Sequence, residues 1–125
     1  MFEQDYIMRL IKEMVRAILK LLFHIDTESP TSELIEDEKE KAALEALLDM
    51  VDEGSICKAE NIVFEMIDAG DRKKLELVLL FYSYLNDKSD EFLEQNNFSR
   101  RQLQDNLKYI LTQYGLGSIA ETFLL

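Results

Sequence analysis

Residues that interrupt helices are scarce in this sequence. Its 125 residues include one proline and four glycines, and no stretch alternates apolar and polar residues over the length of a strand. Proline breaks helices and glycine weakens their interiors, so a chain with so little of either is suited to long helices. The sequence therefore predicts an all-α fold of about six or seven helices packed as antiparallel pairs.

Cysteine and histidine are also scarce, with one residue of each, Cys57 and His24. A single cysteine excludes an intrachain disulfide, which fits a reducing compartment and leads us to expect a cytoplasmic protein. A single histidine cannot supply the two Glu-x-x-His pairs of a di-iron bundle. We interpret His24 as a surface residue at the end of the first helix, and Cys57 as a small buried hydrophobe. A reactive thiolate at Cys57 is the alternative.

Long apolar runs are also missing. Charged residues interrupt the first helix repeatedly, whereas a membrane span needs about 20 apolar residues and a signal core about 7 to 15. With 47% hydrophobic and 31% charged residues, the chain is too apolar for a disordered protein and too charged for a membrane protein. We therefore expect one soluble helical domain over residues 1–125, with no membrane span.

Positive charge is in deficit, with 14 basic against 25 acidic residues and a net charge of −11. A surface of this sign repels phosphate backbones. The helix from Phe98 to Tyr114 is predicted to expose Arg100, Arg101 and Lys108, which are too few cations to offset that repulsion. We therefore expect no binding to nucleic acids.

No motif for catalysis, cofactors or metals is recognisable. The glycines stand at positions 54, 70, 115 and 117 and form no phosphate-binding loop. The acidic residues around Gly54 and Gly70 do not follow the spacing of a calcium loop. We therefore expect a protein that is not an enzyme and has no cofactor, and we assign no catalytic, cofactor-binding or metal-binding residue.

Capping residues and glycines divide the chain into helices. The predicted segments are Glu3–Ile25, a second helix ending near Glu53, Ile56–Ala69, Arg72–Asn86, a short helix ending near Gln95, Ser99–Tyr114 and Ser118–Leu124. Asp71 and Ser89 are predicted N-caps, and Ser99 with Gln102 forms a capping box. The glycines at positions 54, 70 and 115 are predicted helix ends, since glycine accepts the left-handed conformation.

Apolar spacing gives each helix an inward face. The first helix has one broad apolar arc, with the members Ile7, Leu10, Ile11, Met14, Val15, Ile18, Leu21, Leu22 and Ile25. The predicted inward residues of the third helix are Ala59, Ile62, Val63, Met66 and Ile67. The middle of the fourth helix, LELVLLFYSYL, is apolar nearly all round, which predicts a position at the centre of the domain.

The tyrosines admit two interpretations. Core packing is the simpler one for Tyr82 and Tyr84 on the fourth helix. Alternatively they line a pocket between helices together with Tyr109 and nearby carboxylates, which would make the protein a small-molecule-binding or enzymatic helical bundle.

Charge is distributed unevenly between the first helix and the segment after it. Residues 1–25 hold four basic and three acidic side chains, whereas residues 26–54 hold eleven acidic and two basic ones. The basic residues Arg9, Lys12, Arg16 and Lys20 form a stripe opposite the apolar arc, and residues 26–38 are predicted to be an acidic linker to the rest of the domain. The stripe and linker either complement each other or face water. Alternatively the stripe, our candidate partner-binding site, contacts an acidic partner or membrane surface.

The span Glu40–Asp71 resembles one tetratricopeptide-type helical hairpin. Gly54 stands at the turn and Ala59 follows five residues later, as that pattern requires. The chain departs from the pattern at Ala43, where a large aromatic residue is usual, and Asp71 replaces the terminal proline. The resemblance implies antiparallel helix pairs in the middle of the chain.

Three stretches resemble a second family: MFEQDYIMRLIKEMVRAILKLLF, GSICKAENIVFEMI and LNDKSDEFLEQNNFSRRQL. They are similar to an uncharacterised family of small proteins from Gram-positive bacteria, a domain of unknown function. That resemblance implies an all-helical cytoplasmic protein and brings no activity with it. The function is therefore unknown, and our hypothesis is a non-enzymatic helical protein–protein interaction module whose partner is an unknown protein or a second copy of the chain.

Overall fold

The fold is all-α in the computed structural model, which describes residues 2–28 and 30–123. Its elements in chain order are α1 (Phe2–Phe23), a 3₁₀ turn (Ser32–Leu34), α2 (Glu38–Asp52), α3 (Ile56–Met66), α4 (Arg72–Asn86), α5 (Asp90–Gln95), α6 (Arg100–Gln113) and α7 (Gly117–Phe123). None of the described residues belongs to a strand. The predicted all-α class is therefore confirmed.

Helix α4 lies at the centre of the domain, as its sequence predicts. It packs against α1, α2 and α6, and ten of its 15 residues are buried. A helix that is apolar all round must be covered on every side. The other helices are amphipathic and each supplies one face to this core.

The predicted N-caps are formed. The Asp71 carboxylate accepts a hydrogen bond from the Lys73 backbone N–H at 2.9 Å, and the Ser89 hydroxyl accepts one at the start of α5. Ser99 and Gln102 make both bonds of the capping box, at 3.1 and 3.2 Å. Local sequence chemistry thus fixes where α4, α5 and α6 begin.

Two of the three predicted glycine stops have the left-handed conformation that the prediction requires. Gly54 has φ +87° and Gly115 has φ +77°. The prediction that Gly70 ends α3 was wrong. The helix already ends at Met66, and Gly70 is not among the glycines with positive φ. Instead, the Gly70 N–H donates to the Asp68 carboxylate at 3.0 Å in a separate turn.

The buried face of α1 is rotated slightly from the predicted arc. Leu21, expected inside, is 64% exposed, whereas Leu19 is fully buried. At 100° per residue Leu21 lies at one edge of the apolar arc and Leu19 at the other. The helices that cover α1 therefore contact the Leu19 edge, which the sequence alone did not reveal.

The buried face of α3 also differs from the prediction. Ile62 is exposed, and the acidic residue Glu60 takes a buried place beside Ala59 and Val63. Cys57, expected to be buried, is exposed because it follows Ile56 on the outer side of the helix. The prediction failed here because it assumed that apolar residues fill the whole inward face.

The predicted acidic linker, residues 26–38, lies between α1 and the rest of the domain. It contains the 3₁₀ turn, after which Ile35 is only 6% exposed. Its end is therefore anchored in the core before α2 begins. The tetratricopeptide assignment stays a prediction, although α2 and α3 follow each other across Gly54 as the resemblance implies.

Arg100 was predicted to be exposed, but it is 1% exposed. Its guanidinium donates to the backbone carbonyls of Asn86, at 3.0 Å, and of Lys88, and it pairs with the Asp90 carboxylate. The Asn86 carbonyl lies at the C-terminal end of α4, where a helix has unsatisfied acceptors and a negative partial charge, and Lys88 follows two residues later. Arg100 is therefore a structural cap for α4 and is not available to nucleic acid.

Replacing Gly54 by alanine is expected to destabilise the fold by about 1 to 3 kcal/mol. The new Cβ would lie 2.4 Å from Asn96 Oδ1, in a backbone with φ +87°. Gly70→Ala is the matched control, because its nearest contact would be an ordinary 3.5 Å and its φ is not positive. Urea unfolding of both variants checks this, and equal losses would contradict the argument.

Arg100→Met should cost about 2 to 4 kcal/mol of unfolding free energy, since it leaves the carbonyls of Asn86 and Lys88 without their donor. Arg72→Met, at an exposed position of α4, serves as the control and should change stability little. Thermal and urea unfolding measure both. An Arg100 variant as stable as the control would show that the cap is dispensable.

Candidate functional site

The basic stripe of α1 faces outward as predicted. Arg9, Lys12, Arg16 and Lys20 are all exposed. They occupy the side of the helix opposite the buried residues Ile11, Met14 and Ile18. The structure then divides the stripe into two halves with different surroundings.

The C-terminal half of the stripe is paired within the molecule. Arg16 Nη2 lies 3.3 Å from Asp26 Oδ1, and Arg16 Nη1 lies 3.3 Å from Glu28 Oε1. Lys20 Nζ is 3.9 Å from the other Asp26 oxygen. For these residues the structure supports the intramolecular interpretation.

A chain reversal after α1 makes these pairs possible. His24 has φ +57°, a left-handed conformation that is uncommon outside glycine. The Ile25 N–H then donates to the Leu19 carbonyl at 3.1 Å, which closes the end of the helix. As a result, residues 26–28 run back beside α1. His24 itself is exposed at the helix end, as predicted.

The N-terminal half of the stripe has no such partners. Among the described side chains, none forms an ion pair with Arg9 or Lys12. Both line a concavity of about 270 Å³, together with Glu13, Arg16, Thr27, Glu28 and Pro30. They also line a second, more open depression of about 320 Å³ on the other side, with Asp5 and Met8. Two exposed cations therefore stand between two adjoining depressions.

A buried polar cluster joins α3, α4 and α6. Glu60 is 6% exposed, and its Oε2 accepts hydrogen bonds from the Tyr82 hydroxyl at 2.7 Å and from Asn106 Nδ2 at 2.8 Å. Burial raises the pKa of the Glu60 carboxyl, against the opposing effect of those two donors. Burial, and then Glu60, raises the pKa of the Tyr82 phenol, which therefore stays protonated as a donor.

The sequence analysis missed Glu60. The signal was its spacing, since Glu60 lies between Ala59 and Val63 on the side of α3 that faces the core. The cluster is largely buried, and both donors bind the same carboxylate oxygen of Glu60. It is a hydrogen-bond network that links three helices.

The three tyrosines proposed for a pocket have different surroundings. Tyr82 is fully buried, whereas Tyr109 is exposed. The Tyr109 ring meets the Phe64 ring edge-on, with 6.0 Å between the ring centroids. The Tyr84 hydroxyl donates to Asp52 Oδ1 at 2.7 Å, next to Lys88. Hydrogen bonds from Lys88 and then Tyr84 lower the pKa of the Asp52 carboxyl. This second cluster ties the end of α2 to the end of α4.

The remaining chemistry-bearing residues do not assemble into a site. Within residues 2–28 and 30–123 no group of three or more His, Cys, Asp or Glu side chains is placed to hold a metal ion. No helix in that part of the chain has the length and apolar character of a transmembrane segment.

Comparison with known families identifies the chain's family without indicating an activity. The model of a family of unknown function, DUF6483, matches residues 1–115. The chain belongs to this family. No curated protein and no solved structure matches the chain significantly. The predicted resemblance to an uncharacterised family is thereby confirmed, and membership of DUF6483 assigns no activity, ligand or partner to the stripe or to the Glu60 cluster.

Glu60→Gln is expected to change the pH dependence of stability. The folded-state pKa of Glu60 lies above its unfolded-state value, so its contribution to stability is present below the unfolded pKa and is lost as pH rises through the folded pKa. Glutamine stays neutral and can still accept the bonds from Tyr82 and Asn106. The variant should therefore gain stability relative to wild type from acid to neutral pH.

Urea unfolding at several pH values measures this difference. Glu65→Gln, at an exposed position of the same helix, is the control and should follow the wild-type curve. A constant difference between Glu60→Gln and wild type across the pH range would contradict the assignment of a raised pKa.

Proposed function

We propose that this DUF6483 protein is a non-enzymatic helical interaction module that binds an acidic segment of a partner protein through the basic stripe of α1. The observation that carries the proposal is the pair Arg9 and Lys12, exposed and without an ion-pair partner among the described side chains. They are cations on a molecule of net charge −11. Such a local patch of opposite sign attracts an acidic segment and orients it.

The shape of the surface supports the same function. The concavity of about 270 Å³ beside Arg9 and Lys12 is bounded by Pro30 and Thr27 as well as by the helix. A partner segment lying there contacts apolar stems and charged ends together, since Arg and Lys side chains carry both. Because the charges on this surface are exposed, we expect weak, salt-dependent binding.

The chemistry of the interior supports a role without catalysis. Among the described carboxyls Glu60 is the one that is buried, with 6% exposure, and it accepts hydrogen bonds from Tyr82 and Asn106. General acid–base catalysis requires a titrating group within reach of a substrate. A cytoplasmic location in a Gram-positive bacterium belongs to the same proposal, supported by the single cysteine and the resemblance of the three stretches quoted above.

Reversing the charges of these two residues, Arg9→Glu with Lys12→Glu, should abolish or weaken binding of an acidic peptide. The probe is a fluorescein-labelled peptide of alternating Glu and Ser, read by fluorescence anisotropy at low ionic strength. We expect the double variant to lose about tenfold or more in affinity, because attraction becomes repulsion. The same peptide with Gln in place of Glu should not bind.

The matched control is Lys58→Glu with Arg72→Glu, which makes the same charge change at exposed positions of α3 and α4. It should bind more tightly than the stripe variant. Equal losses in both would attribute binding to net charge alone, and no binding by wild type would refute the proposal. Sedimentation of the wild type shows whether a second copy takes the partner's place.

A further inference from the structure

We propose that Asp26 and Glu28 form an internal acidic ligand of the basic stripe, which an acidic partner displaces when it binds. This inference rests on the proposed function and adds to it the regulation of the same surface. It starts from the division of the stripe, in which Arg16 and Lys20 are paired with carboxylates, whereas Arg9 and Lys12 form no ion pair with any described side chain.

The internal contact shows which ligand chemistry the stripe accepts. The two Nη atoms of Arg16 bind two different carboxylates, Asp26 and Glu28, each at 3.3 Å. The carboxylates stand two residues apart, with Thr27 between them lining the concavity. The matching partner is therefore an acidic segment with carboxylates at alternate positions.

The internal ligand covers only part of the surface. Its carboxylates lie beside Arg16 and Lys20, and the concavity continues past Glu28 to Arg9 and Lys12. A partner segment can therefore begin on the free half of the stripe and then compete for Arg16. Such stepwise displacement requires no change in the helices.

The ion pairs of Arg16 with Asp26 and Glu28 are weak enough for a partner to displace. Arg16, Asp26 and Glu28 keep 46%, 55% and 78% of their side chains exposed in these pairs. Ion pairs so exposed are individually weak. They are nevertheless intramolecular, and a short tether keeps the carboxylates at a high effective concentration near Arg16. The partner must overcome that local concentration, so its apparent affinity is lowered.

Removing the internal carboxylates should therefore strengthen binding. The test variant is Asp26→Asn with Glu28→Gln, and the probe is a labelled peptide with the chain's own sequence over residues 25–33. We expect about three- to tenfold tighter binding to the variant than to wild type. The control is Asp49→Asn with Glu53→Gln, which removes the same two charges from exposed positions on α2.

The possible results separate this inference from the proposed function. Tighter binding by the test variant alone supports the internal ligand. Equal binding by the test variant and wild type, together with loss in the Arg9 and Lys12 variant, overturns the internal ligand and leaves the binding face intact. Absence of binding in every variant, for this peptide and for the Glu/Ser peptide, refutes both. A melting temperature of the test variant within a few degrees of wild type shows that its fold is preserved.

Discussion

The structure depends on covering one helix that has no polar side. The middle of α4 is apolar around most of its circumference, and water is excluded from it only when α1, α2 and α6 are all in place. Each of those helices thereby commits its own apolar face to the core. The outer faces carry charged residues. The packing of α1 against α4 therefore determines which side of α1 faces solvent.

Much of this arrangement is predictable because its causes are local. The capping box at Ser99, the cap at Asp71 and the glycine at position 54 act through residues within one or two turns, and the structure forms all three. The position of α4 follows from composition alone. Local sequence does not predict burial where the packing of other helices determines it. Leu21 and Leu19 are examples, because that packing determines which edge of the α1 arc is covered.

The partners of the charged residues inside the molecule are beyond sequence reasoning for a different physical reason. Burying Glu60 or Arg100 is costly unless donors or acceptors meet it, and the partners come from other elements. Asn106 approaches Glu60 from 46 residues away along the chain. The basic stripe is an intermediate case. Its side of the helix follows from periodicity, but its division into a paired and a free half depends on the path of the chain after α1.

That path is held at both ends by contacts that do not depend on charge. The bond from Ile25 to Leu19 closes one end, and Ile35 is buried at the other. Salt screens exposed ion pairs but leaves such contacts in place. Raising the ionic strength should therefore loosen the side chains of Asp26 and Glu28 without carrying the main chain away from α1. Residues 26–28 should therefore stay beside α1 at salt concentrations that screen the ion pairs of Asp26 and Glu28.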